Sequence, residues 1–199
     1  MTDVGREWGP ALHDVRHVVK MNMIWEIPFT SDARALGYLL GGWQVNAITV
    51  YQSGSPFSVI CALPYPQCDF NADGQVNDRV NVNRTDLGSP SQDQWLAGVL
   101  SAADYTLPAR GTLATQPRNA FVGPEYFNTD LSFFKNVSVP WSGSGNARAQ
   151  LRVEMFNVFN KAQLRNPTTA TNSTTFGQVT GVRDGTQPRV IQIGLKFIF

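Results

Sequence analysis

No window of the 199-residue chain holds the ~20 consecutive apolar residues that a membrane-spanning helix needs. No long segment repeats with the period of a helix either. Excess charge is also lacking. Sixteen Lys and Arg stand against 15 Asp and Glu, a net charge of +1, which leaves no electrostatic footprint for nucleic acid. There is no low-complexity tract and no repeat longer than a strand. The opening Met1-Thr-Asp-Val-Gly-Arg-Glu-Trp-Gly-Pro10 has no apolar core of the kind a signal peptide carries. For an exported protein, that reads as a chain whose true N-terminus lies upstream. Cysteine is scarce: Cys61 and Cys68 are the pair, close together in a Pro-rich stretch. In an oxidising compartment they would close a short surface loop as a disulfide; in a reducing one they would stay free thiols.

What the chain does have is alternation. In Arg189–Phe199, Ile191, Ile193, Leu195, Phe197 and Phe199 fall on one face. Val190, Gln192, Gly194, Lys196 and Ile198 fall on the other. The run matches the ~9–11 residues of a tilted membrane-spanning strand, and it ends on an aromatic. In Arg148–Phe159, Ala149, Leu151, Val153, Met155 and Phe159 oppose Arg148, Gln150, Arg152 and Glu154. Val19, Met21, Met23, Trp25 and Ile27 oppose Lys20, Asn22 and Glu26. Trp43, Val45, Ala47, Thr49 and Tyr51 oppose Gln44, Asn46 and Gln52, and Phe127, Thr129, Leu131 and Phe133 oppose Asn128, Asp130 and Ser132. The expectation is an all-β fold with antiparallel spanning strands at 17–27, 42–52, 127–137, 148–159 and 189–199.

Loop lengths alternate as they do in bacterial barrels, short on the periplasmic side and long outside. The links Pro28–Gly41 and Ser138–Ala147 would be periplasmic turns, and 53–126 and 160–188 extracellular loops. The last strand then runs inward and leaves Phe199 on the periplasmic side. Trp25, Trp43, Phe197 and Phe199 would form one aromatic girdle, and Tyr51, Phe127 and Phe159 the other. Five strands cannot close, because single-chain bacterial barrels use even numbers from eight upward, and open edges in lipid leave orphan backbone groups. The chain therefore reads as about five C-terminal strands of a larger transmembrane β-barrel.

Leu151-Arg-Val-Glu-Met-Phe-Asn-Val-Phe-Asn160 resembles the penultimate-strand motif of TonB-dependent outer-membrane receptors, which ends in Phe-Asn-x-Phe-Asn. Thr175-Phe-Gly-Gln-Val179 and Pro188-Arg-Val-Ile-Gln-Ile-Gly-Leu-Lys-Phe197 are similar to the final loop and last strand of that family. Asp14-Val-Arg-His17, Gly42-Trp-Gln44 and Gln52-Ser-Gly-Ser-Pro-Phe57 resemble motifs of the Oar-like branch, whose N-terminal domain is carboxypeptidase-regulatory-like. The resemblance covers most of the chain in the right order. It implies an outer-membrane location and uptake of large or scarce ligands driven by the TonB complex. It also implies as partners the rest of the barrel, the plug, outer-membrane lipid and, through the terminal strand and Phe199, the barrel-assembly machinery. The plug, the TonB box and roughly the first three-quarters of such a barrel have no counterpart here, so this chain alone would not transport.

Candidate sites are few. Asp69, Asn71 and Asp73 fall at positions 1, 3 and 5 of a calcium loop, with Gly74 at 6 and Asn77 at 9. Position 12 is Val80, so Asp78 would have to supply the missing acid; the alternative is a solvated Asn/Asp/Gly turn. His13 and His17 have no third metal ligand nearby and read as rim residues. Ser144 lacks the Gly-x-Ser-x-Gly setting of a nucleophile. No phosphate-cradling loop or catalytic acid pair is present, and no enzyme is expected. Arg148, Arg152, Glu154 and Lys196 would line the wet lumen and bridge across strands, or contact a plug. Two other readings remain open: a soluble all-β binding module of the carbohydrate-binding sandwich kind, and a small structural or adhesive barrel.

Overall fold

The computed structural model describes residue 5 and residues 7–139 and 147–198. Phe199, Ser144 and most of the 138–147 turn lie outside the described residues. The chain folds as two compact units. One is a sheet unit comprising residues 18–51, 127–162 and 185–199; the other comprises residues 1–17, 52–126 and 163–184.

The sheet has five strands: β1 (Val18–Glu26), β2 (Trp43–Gln52), β7 (Tyr126–Ser138), β8 (Arg148–Phe156) and β9 (Val190–Ile198). They lie side by side in that order, and each meets its neighbour antiparallel. Ile27 N donates to Trp43 O at 2.9 Å and Ser53 N to His17 O at 2.9 Å, which sets β1 against β2. Asn136 N donates to Gly42 O at 2.8 Å, and the Thr49 and Thr129 hydroxyls lie 3.0 Å apart, which sets β2 against β7. Leu131 pairs with Met155 and Lys135 with Leu151 between β7 and β8. Leu151 pairs with Leu195 and Val153 with Ile193 between β8 and β9. Gly42, at φ +71°, is needed there, because a Cβ would sit 2.4 Å from Asn136 O.

All five expected strands form, with ends that match the sequence expectation or differ from it by up to three residues. The largest difference is in β8, which stops at Phe156 instead of Phe159. Asn157 and Asn160 adopt positive φ of 51° and 50° and turn the chain out of the ladder. The 28–42 link is not a bare turn: it folds as α1, Arg34–Leu40.

The stretches expected as long extracellular loops, 53–126 and 160–188, supply most of the second unit. It holds two pairs of two-residue strands: β3 (Pro56–Phe57) with β6 (Phe121–Val122), and β4 (Asn81–Val82) with β5 (Tyr105–Thr106). A short helix, α2, spans Gln92–Ala97. Phe57, Val59, Cys61, Cys68, Phe70, Val80, Leu100 and Phe121 bury themselves in a common core. Phe57 stacks on Phe121 with ring centroids 5.4 Å apart. The 163–184 segment joins this core: Ile60 N donates to Thr169 O and Thr171 N to Ile60 O, both at 3.0 Å.

Candidate functional site

The pairing register sorts the sheet's side chains into two faces. On one face the rows run Met21, Thr49, Thr129; then Met23, Ala47, Leu131, Met155, Ile191; then Trp25, Val45, Phe133, Val153, Ile193. This apolar face crosses all five strands and is open at the outer two, where Met21 is 65% and Ile193 72% exposed, while its residues on β2 and β7 are half-buried. An apolar surface of this breadth marks contact with a membrane or another protein. The opposite face is mixed: it carries Lys20, Asn22, Gln44, Asn46, Asn128, Asp130, Gln150, Arg152, Glu154, Gln192 and Lys196, interspersed with Ile24, Ile48, Val50, Phe134 and Phe156. Polar on one side and lipid-like on the other is the wall of a barrel. No helix among the described residues is long and apolar enough to cross a membrane.

Arg148, Arg152, Glu154 and Lys196 all lie on the polar face by register. They do not bridge one another; among the described residues no ion pair joins them. Arg152 Nε donates to Gln150 Oε1 at 2.6 Å and its guanidinium lies 5.1 Å from the Phe134 ring centre. Gln150 in turn donates to Asn136 Oδ1 at 2.8 Å. Glu154 sits between Ser132 and Gln192. The face is thus a ladder of amides and a stacked arginine.

Lys135 breaks the pattern, and the sequence reading missed it. It stands in the apolar phase of β7 yet is 9% exposed. Its ammonium lies 5.4 Å from the Trp43 ring centre and donates to Leu39 O at 3.1 Å and to Gly41 O. The available signal was a lone cation in an otherwise apolar alternation, placed by pairing beside a tryptophan.

The resembling motifs have local physical reasons. Asn157 tolerates the left-handed backbone and uses its whole amide. Nδ2 donates to Lys161 O at 3.1 Å and Gln187 O at 3.0 Å, and Oδ1 accepts from Lys161 N at 3.0 Å. Its own N–H donates to Asp130 Oδ1 at 2.9 Å. Asn160 Oδ1 accepts from Arg189 N at 3.1 Å. The two asparagines therefore clip the end of β8 to the start of β9. In Thr175-Phe-Gly-Gln-Val179, Phe176 packs edge-on to Tyr105 at 5.5 Å. Gly177, at φ +77°, lies where a Cβ would meet Leu100 O at 2.6 Å.

Cys61 and Cys68 form a disulfide, with Cα atoms 5.5 Å apart, inside the core of the second unit. The Asp/Asn loop beside it does not gather into a cage. Asp69 accepts from Asp73 N at 3.0 Å and Gly74 N at 3.1 Å through its two oxygens. Asp78 Oδ2 accepts from Phe70 N and Asn71 N at 2.6 and 3.1 Å. These are the acceptor roles of an Asx-turn network, and they already engage the acids that calcium would need. Among the described residues, no group of three or more His, Cys, Asp and Glu is placed to hold a metal. His13 is exposed, and the backbone of His17 is held by Ser53.

The second unit also has a cleft of about 610 Å³ lined by Trp8, Asp14, Arg16, His17, Arg118 and Asn119 among others. Nearby, Arg79 Nη1 donates to Glu7 Oε2 at 3.1 Å, and this bond holds the Glu7 carboxyl below its ordinary pKa of 4.5. Burial pushes the Tyr105 hydroxyl up to about 12, so it stays protonated in the core. A capping box marks the start of α2: Ser91 N donates to Gln94 Oε1 at 2.7 Å and Gln94 N to Ser91 Oγ at 3.3 Å. The Ser-x-x-Gln spacing ahead of the buried Trp95 was the readable sign of this helix.

An antiparallel sheet with one apolar and one predominantly polar face is the pattern of an outer-membrane type of β-barrel wall. The family model described as an outer membrane beta barrel domain matches residues 1–192, and the chain belongs to that family. No curated protein and no solved structure matches the sequence.

Proposed function

We propose that this chain is the C-terminal barrel segment of a TonB-dependent outer-membrane receptor of the Oar-like branch, serving uptake of a large or scarce ligand. The observation that carries it is the polar face joined to the asparagine clip. Asn157 and Asn160 sit in the Phe-Asn-x-Phe-Asn motif and fasten β8 to β9. The open edges of β1 and β9 support a wall continued by further strands, since a bilayer tolerates spanning strands only in a closed ring. The partners are then outer-membrane lipid, the remaining strands and plug, the barrel-assembly machinery acting at the last strand, and the TonB complex. The protein catalyses no reaction in this reading; its polar face and the compact unit of 53–126 and 163–184 handle and admit ligand.

Cross-linking in living cells tests the proposal. After outer membranes are solubilised, the chain should be recovered within a larger receptor whose plug-bearing part is joined to an energy-coupling TonB protein. Recovery as a small closed barrel with no such partner, under conditions where a control receptor does cross-link, would overturn it.

A further inference from the structure

Helix α1 carries Leu36, Leu39 and Leu40, which share one stripe at i, i+3 and i+4 spacing. All three are exposed, Leu39 by 66%. The helix's attachment shows which side of the wall it occupies. Leu39 O accepts from Trp43 Nε1 at 3.0 Å and from Lys135 Nζ at 3.1 Å, and Gly41 O accepts from the same ammonium. Trp43 and Lys135 both project from the apolar face: Lys135 pairs with Leu151 and, through it, with Leu195. The C-terminal end of α1 is therefore fastened to the apolar side of the sheet and not to the polar one.

The same contacts account for a lysine in the apolar phase. Such a charge is costly at the bilayer midplane and cheap near the interface. Here the ammonium satisfies carbonyls that the end of a helix leaves orphaned and lies over an aromatic ring. That arrangement suits the interfacial depth, where tryptophan also prefers to sit.

We propose that α1 is an in-plane membrane anchor. It lies on the lipid side of the wall, at the end of the sheet where β1 meets β2 through a short link, and sinks Leu36, Leu39 and Leu40 into the headgroup–acyl boundary. The inference rests on the reading of the apolar face as the lipid face. Continuity selects lipid over a second copy or a soluble partner, because the stripe is carried by a helix bolted to the row of the apolar band at which β2 begins, that of Trp43 and Lys135. An exposed leucine stripe at this position gains by burial in the apolar boundary of the bilayer.

The test uses the protein in outer-membrane fragments, carrying one nitroxide at a time on Leu39→Cys, Leu36→Cys, Tyr38→Cys or Ile193→Cys. Collision with oxygen reports lipid, and collision with a nickel chelate reports water. The expected result is high oxygen and low nickel accessibility at Leu39 and Leu36, as at Ile193, with nickel reaching Tyr38 on the opposite side of the helix. If Ile193 lies in lipid while nickel reaches Leu39 and Leu36, the anchor is wrong and the lipid face stands. Shielding of Leu39 and Leu36 from both reagents would mean a protein covers the stripe, and also overturns the anchor. Nickel access at Ile193 would remove the lipid face and the anchor together.

Discussion

Asn157 shows how much one side chain can do at the rim of a barrel wall. It is 7% exposed, sits at φ 51°, and serves the backbone of Lys161 and Gln187 with both ends of its amide. Alanine at this position would keep the strained backbone and orphan those groups. The expected cost of Asn157→Ala is about 2–4 kcal/mol, from the left-handed conformation and the unsatisfied partners together. A lowered urea midpoint in detergent micelles would show it; an unchanged midpoint would mean the clip contributes nothing. Gln116 plays a comparable role in the second unit. It is 1% exposed, and its amide both donates to Val59 O and accepts from Val59 N at 2.8 Å, standing in for a missing strand. Nothing in the sequence marks such a residue, because a buried glutamine and a solvated one look alike until the fold places them.

At the scale of elements, the spanning strands were legible because lipid on one side and water on the other impose a strict period of two. Ile191, Ile193, Leu195 and Phe197 keep that period without a break. The strand ends were less legible, since they depend on turn conformations at Asn157 and Asn160 and not on hydropathy. The short helices were missed for different reasons. Leu36, Leu39 and Leu40 form too brief a stripe to register as a helical period, whereas the capping box at Ser91 and Gln94 was available and local. The core of the second unit had no periodic signal at all: Phe57, Val80, Leu100 and Phe121 come together from distant points of an irregular chain. The calcium spacing of Asp69, Asn71 and Asp73 was read correctly as a pattern of oxygens, but those oxygens answer backbone N–H groups. A paired substitution tests the faces directly. Ile193→Arg, mid-strand on the apolar face, should destabilise the protein in lipid by about 2–4 kcal/mol. Gln192→Arg, one residue away and beside Glu154, should be nearly neutral. Equal urea midpoints for the two variants in lipid vesicles would contradict the assignment of faces.

At the scale of the whole molecule, the sheet presents two different kinds of surface that water does not tolerate well. Its apolar face is exposed on β1 and β9 and half-buried on β2 and β7, and β1 and β9 each have a single neighbour among the described residues. A long, flat apolar edge strand is a site for pairing with another chain. Family membership explains the face, and further strands would close the edges. The unit of residues 1–17, 52–126 and 163–184 is different in kind. It has its own buried core, a disulfide and side-chain hydrogen bonds to its backbone, the marks of a segment that folds against water. A soluble sandwich would instead cover the apolar face of its sheet with a second layer. The chain expressed alone should therefore be insoluble in plain buffer and gain β-type circular dichroism only in detergent or lipid, with β1 and β9 driving association. Fractionation with and without detergent, followed by circular dichroism, decides this. A soluble monomer that unfolds cooperatively in buffer would mean that Ile191, Ile193, Leu195 and Phe197 are covered by protein, and the soluble all-β binding module would replace the barrel wall.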